Sequence, residues 1–95
     1  MPAYLIVQVE ITDPDRCREY FAESPRVIAL YGGRYIARAG EMVTLEGEEN
    51  SRRIVLIEFP SLDKAKEWYH SEEYQRIKPL REGAAIGSLI AIEGC

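Results

Sequence analysis

Histidine is almost missing from this chain: His70 is the only one, and Cys17 and Cys95 are the only thiols. A single imidazole without convergent cysteine or carboxylate spacing makes no metal site. Two distant thiols without a CxxC pair form neither a redox motif nor the disulfide framework of a small secreted domain, so a reduced, cytoplasmic setting is expected. An excess of positive charge is lacking too. Twelve Lys and Arg against sixteen Asp and Glu give a net charge of −4 and a pI near 5.0, which argues against nucleic acid as a partner. The basic groups Arg52-Arg53 and Lys78 with Arg81 sit among acids and read as solvated surface. No apolar run approaches bilayer length, and the stretch Met1 to Gln8 has neither the positive start nor the small-residue cleavage site of a signal peptide, so no membrane association is expected. Gly32-Gly33 is not part of a GxGxxG or GxxxxGK loop, and no nucleophile elbow or triad motif occurs. No metal, nucleotide or other cofactor is therefore expected.

What is present is apolar content of 46% beside 29% charged residues in 95 positions, which describes one globular domain spanning 1–95. A chain of this length buries only about 60–65% of the surface its unfolded form exposes and is marginal unless something adds burial. The run Arg53 to Phe59 bears on that. With period-two alternation, Val55, Ile57 and Phe59 point one way while Ile54, Leu56 and Glu58 point the other. The chain's own helices can cover one face. The other lacks a cover, and a second copy of the protein is the natural candidate, docking on Ile6, Ile36, Ile54 and Leu56.

The order of elements follows from pattern and punctuation. Leu5, Val7, Val9 and Ile11 alternate with Tyr4, Ile6, Gln8 and Glu10 in a first strand. Asp13-Pro14 opens a helix, with Asp13 as cap and Pro14 where no amide proton is needed. Cys17, Tyr20, Phe21, Ser24, Ile28 and Tyr31 form its buried stripe. Pro25 predicts a kink or two short helices, closing at Gly32-Gly33. Arg34 to Arg38 and Met42 to Glu46 read as strands separated by Ala39-Gly40-Glu41, either a turn or a bulge in one bent strand. After the polar loop 47–51 and the strand ending at Pro60, Ser61 caps a helix with inner residues Leu62, Ala65, Trp68 and Tyr69. Ser71 caps a second segment carrying Tyr74, Ile77 and Leu80, bent or restarted at Pro79. The chain turns at Gly83 to Gly87, and Ser88 to Glu93 is the last strand. Strand, helix, strand, strand, helix, strand is the split βαβ order of ferredoxin-like α+β folds, an antiparallel sheet with helices on one face.

The run Asp13-Pro14, Tyr20, Pro25, Tyr31-Gly32-Gly33-Arg34, then Ile57-Glu58-Phe59-Pro60-Ser61, Trp68-Tyr69, Ser71 and Glu73-Tyr74, resembles the small proteins grouped as domain of unknown function DUF1330. The resemblance covers nearly the whole chain. It implies a dimeric α+β barrel, in which two sheets face each other with helices outside, as in antibiotic-biosynthesis monooxygenases, muconolactone isomerases and stress-response barrel proteins. It carries over no activity. The chain departs from the family pattern at His70, where many members have Asn.

Candidate chemistry is sparse. His70, between Glu67 and Ser71, reads as a surface residue, which also disfavours a haem-degrading role. Glu58 interrupts an apolar strand. It is either a carboxylate with a pKa raised by burial that could move a proton on a small substrate, or the partner of Arg34 or Arg38, which alternation puts on one face of the preceding strand. Tyr20, Tyr31, Trp68, Tyr69 and Tyr74 gather at the helix–sheet boundary, either as core or as the lining of an apolar pocket with polar handles. Tyr20, Tyr31, Arg38, Trp68 and Tyr74 are the candidate ligand-binding residues, and Glu58 the weak catalytic candidate. The function expected is binding of a small hydrophobic or aromatic molecule by a homodimer, extending to cofactor-independent catalysis. The alternative is a noncatalytic dimeric module whose aromatics are core.

Overall fold

The structure, a computed structural model, describes residues 1–38 and 40–95. Strand β1 (Ala3–Ile11) leads into helix α1 (Pro14–Leu30), strand β2 (Arg34–Arg38), strand β3 (Arg53–Phe59), helices α2 (Leu62–His70) and α3 (Glu72–Ile77), a 3₁₀ turn over Lys78–Leu80, and strand β4 (Ala85–Glu93). The four strands form one antiparallel sheet in the order β2-β3-β1-β4, with the helices on one face. Among the described residues no helix is long and apolar enough to cross a membrane.

Local chemistry sets the helix ends. The Asp13 carboxylate accepts from the Arg16 amide at 3.2 Å, and Ser61 and Ser71 cap α2 and α3 by accepting from Lys64 and Tyr74 amides, each at 3.1 Å. Helix α1 ends in a Schellman motif. The Gly33 amide donates to the Ile28 carbonyl and that of Gly32 to Ala29, each at 3.0 Å, with Gly32 at φ +78°. Gly33 is needed for a different reason, since a Cβ there would lie 2.7 Å from both Ile28 Cγ2 and Phe59 Cε1.

Of the kink or two short helices expected at Pro25, the second is not found, because α1 runs through it as one helix of 17 residues. The residue lacks an N–H for the Phe21 carbonyl, at a cost of about 3 kcal/mol. Its neighbours offset that: Ser24, Val27 and Ile28 are all buried, and two aliphatic side chains contribute about 1.5–3 kcal/mol each. Packing outweighs the local defect.

Leu5, Val27, Ile28, Val55, Ile57, Phe59, Ala65, Trp68, Tyr74 and Ile77 form the core between helices and sheet, so the face assigned to Val55, Ile57 and Phe59 is the helix-covered one. Among the described residues no helix or strand covers the opposite face, and the 42–50 segment meets it only at its edge, beside Ile54. Registers Ile6↔Leu56, Ile6↔Ile90, Gln8↔Ile54, Tyr4↔Ile92 and Glu10↔Ile86 align apolar side chains across β3, β1 and β4 on it. Ile86, Ile90 and Ile92 are each more than half exposed.

Three expectations need correction. Met42–Glu46 is not a strand. Met42, Val43 and Leu45 stand exposed, and among the described residues no strand pairs with the outer edge of β2. Of the turn or bulge expected at 39–41, Ala39 lies outside the described residues, and the irregularity found falls earlier, between Tyr35 and Ala37. Ile36, placed by alternation beside Ile6 and Leu56, sits in that bulge without a ladder partner. Finally, β4 begins at Ala85 rather than Ser88, because the long strand β1 supplies partners as far as Ile11.

Candidate functional site

The bulge in β2 matters for function because it breaks the alternation of Arg34 and Arg38. Arg34 is opposite Glu58 and Ala37 opposite Leu56 on the open face, whereas Arg38 is opposite Val55 on the helix face. One extra residue has re-aimed a side chain. Arg38 now lines a cavity of about 360 Å³ beneath α1, together with Tyr20, Phe21 and Ser24 of α1, Tyr35 of β2, and Leu5, Val7, Val55, Ile57 and Leu89 of the sheet. Trp68 of α2 and two further arginines, Arg53 and Arg81, complete its principal lining.

Arg53 and Arg81 overturn the reading of those positions as solvated surface. Signals for both were available. Arg53 shares the period-two phase of Val55, Ile57 and Phe59, and Arg81 continues the i, i+3, i+7 stripe of Tyr74 and Ile77. Each guanidinium is set against an aromatic ring: Arg38 is 4.2 Å from the Tyr35 centroid, Arg53 5.5 Å from Phe21 and Arg81 5.7 Å from Tyr20. Among the described residues no carboxylate forms an ion pair with any of the three, and no acid lines the cavity.

Behind the wall, the Tyr20 and Tyr74 hydroxyls are 3.0 Å apart, and Arg81 Nη2 donates to the Tyr74 hydroxyl at 3.1 Å. Burial drives the Tyr74 hydroxyl well above the ordinary tyrosine range, and Tyr20 adds to this, so it is a neutral hydrogen-bonding group rather than a base. Burial disfavours the Arg81 charge while the bond to Tyr74 favours it, and the balance leaves its pKa raised. Cys17 also lines the cavity, but burial, with Asp13 nearby, raises its thiol pKa; its Sγ donates to the Ala84 carbonyl at 3.5 Å. Arg16 and Arg81 pull that pKa the other way, but burial prevails, the opposite of an activated thiolate. Two buried donors of cavity-lining residues, Trp68 Nε1 and Arg53 Nε, have no hydrogen-bond partner among the described residues, although Trp68 is only 2% exposed. Buried polar groups are ordinarily satisfied.

Tyr20, Arg38 and Trp68 are thus brought together in one wall. Tyr74 reaches the cavity only through Tyr20 and Arg81. Tyr31 is elsewhere: it packs against the edge of the core, and its hydroxyl donates to Glu73 at 3.0 Å. Glu58 lies across the sheet from the cavity, accepting from Arg34 Nε at 2.9 Å, with Arg34 Nη2 2.9 Å from the same oxygen in an ion pair. Among the described residues no cluster of three potential ligands could hold a metal ion.

The Glu58–Arg34 pair supports a direct test. Arg34 is 72% exposed and Glu58 25%, so the pair belongs to the weak class worth about 0.2–1 kcal/mol. Glu58→Gln is expected to lower the melting temperature by a few degrees at low salt, and the difference should shrink near 1 M salt. An unchanged or higher melting temperature at low salt would refute the structural role.

The sheet order, the antiparallel pairing and the one-sided helices define a ferredoxin-like α+β domain. The family profile described as Domain of unknown function (DUF1330) matches residues 2–95, and the chain belongs to that family. Its fold is similar to that of the RPA0582 protein of unknown function from Rhodopseudomonas palustris, at 18% identity over 99% of this chain and 82% of that one, with a TM-score of 0.78. It is also similar to SnoaB, a cofactor-independent oxygenase from Streptomyces nogalater (8% identity, 99% and 93% coverage, TM-score 0.61). A third similar structure is a dimeric protein of unknown function and ferredoxin-like fold from Bacteroides fragilis (15% identity, 98% and 96% coverage, TM-score 0.56). At these identities the likeness is one of fold. A comparison with curated proteins gives no match.

Proposed function

We propose that this protein is a homodimeric small-molecule-binding domain that takes up a hydrophobic or aromatic molecule beneath α1. The observation that carries the reading is the cavity. At about 360 Å³ it falls within the range of ligand sites, and like them it is mostly apolar with a few polar groups. A filled helix–sheet boundary would have favoured the purely structural alternative.

The homodimer is supported by the uncovered isoleucine-rich sheet face and by the dimeric state of the Bacteroides fragilis protein. The reading sets the protein in the cytoplasm, in keeping with the unpaired Cys17 and Cys95. Cofactor-independent catalysis, the activity named for SnoaB, finds less support in these residues. Glu58 is across the sheet, and among the described residues no carboxylate lines the cavity.

The test is to purify the native protein without denaturation, release bound molecules with acid or solvent, and identify them by mass spectrometry. A single apolar compound near one equivalent per chain, absent when the cavity is plugged by Ser24→Trp, is the expected result. The same compound carried equally by the plugged variant would refute the site.

A further inference from the structure

We propose that the cavity is selective for organic anions, and that its ligand is a carboxylate on a flat apolar body, with the carboxylate held between Arg38 and Arg53. The inference rests on the reading of the cavity as a small-molecule site and deepens it.

The argument begins with charge distribution. The chain carries more acids than bases, sixteen against twelve, yet the cavity wall contains three arginines and no acid. Outside the cavity Arg18 pairs with Asp15, Arg26 with Glu23 and Arg34 with Glu58, while Arg16, Arg52 and Arg76 have no ion pair among the described residues. The three at the cavity have no acid partner either, but they share one partly enclosed space. Like charges gathered around a partly desolvated space repel one another, and an anion bound among them relieves that repulsion.

Geometry then locates the anion. Arg38 is opposite Val55, and Arg53 is two residues from Val55 on the same face of β3. Diagonal neighbours of this kind have backbones about 7–8 Å apart, within reach of one carboxylate for two long side chains. A guanidinium presents its donors as a planar fork that matches a carboxylate. Arg53 Nε is a buried donor that lacks a partner among the described residues, which is the kind of group a ligand oxygen would satisfy. Arg81 is already engaged by Tyr74 and supports the Tyr20 side of the wall. The apolar body has its own complement in Phe21, Val55, Ile57 and Leu89. The unpartnered Trp68 N–H offers a second polar contact deeper in the layer.

The experiment uses the intact protein and three probes of one shape: 2-naphthoate, its neutral amide 2-naphthamide, and the cation 2-naphthylmethylammonium. Trp68 is the only tryptophan and lines the cavity, so its fluorescence reports occupancy, with calorimetry as a second measure. Naphthoate is expected to bind at least about tenfold more tightly than naphthamide, with the advantage shrinking as salt is raised. Arg38→Gln and Arg53→Gln should each reduce naphthoate affinity about tenfold and leave naphthamide unchanged. Arg53→Lys, which keeps the charge and loses the fork, should fall between. Equal binding of naphthoate and naphthamide, or preference for the cation, overturns the anion inference while leaving the small-molecule site standing. If none of the three binds, the site itself is overturned and the inference with it.

Discussion

Replacing Leu56 by Asp is expected to turn a stable dimer into a destabilised monomer. Leu56 is at the centre of the uncovered face, paired with Ile6 of β1 and Ala37 of β2, with Ile54 two residues along and Ile90 beyond Ile6. A symmetric dimer places the same surface on both partners, so one substitution is felt twice. Loss of two buried leucines removes roughly 3–6 kcal/mol, equivalent to about 10²–10⁴ in Kd. Two unpaired carboxylates set facing each other in a low-dielectric interface add to the loss. The four side chains Ile6, Ile54, Leu56 and Ile90 together could contribute about 6–12 kcal/mol per protomer as an upper bound, comparable with the whole stability of a small domain. Sedimentation should therefore show the wild type as a dimer at micromolar concentration and Leu56→Asp as a monomer, with a concentration-dependent melting temperature for the wild type alone. A wild type that sediments as a stable monomer would rule out the assembly.

Phe59→Ala should be the most damaging change within the protomer. The ring is fully buried, stands 5.6 Å from the Trp68 ring, and packs against the bare backbone of Gly33. It therefore joins β3, α2 and the turn after α1 at one point. Phe→Ala in such a site costs about 3–5 kcal/mol through lost transfer free energy and the cavity left behind. Against about 5–15 kcal/mol for a whole domain, that is a melting-temperature drop on the order of 15–30 °C. Phe59→Leu, which keeps most of the volume, should lose less than half as much. Urea denaturation of the three proteins measures this, and equal stability of Phe59→Ala and wild type would mean that Phe59 does not hold the layers together.

Neither substitution touches the cavity-lining arginines, so the two effects separate assembly and core from ligand selectivity. Naphthoate binding retained by Leu56→Asp would show that the cavity is complete within one protomer. Its loss in the monomer would show that the second copy shapes the site.

Much of this architecture is written in local pattern. Asp13-Pro14, Ser61 and Ser71 mark helix starts because an unpaired amide needs an acceptor within a few atoms, a requirement visible in any sequence. The two-faced strand Arg53 to Phe59 pointed to a helix-covered side and a bare side, because side-chain direction along a strand follows from backbone geometry alone. The candidate site was legible only in pieces. Tyr20, Arg38 and Trp68, singled out by residue type, line the cavity, while Tyr31 lies away from it and Glu58 is on the opposite face of the sheet, where alternation puts it. What the tertiary structure decided was register and continuity. A single bulge near Ile36 sent Arg34 to Glu58 and Arg38 into the cavity, and no periodicity rule foresees where a ladder slips. Helix α1 continued through Pro25 because Val27 and Ile28 had a core to enter. These outcomes depend on contacts between residues far apart in sequence, where the winning arrangement is set by the partners that meet rather than by the preference of any one segment.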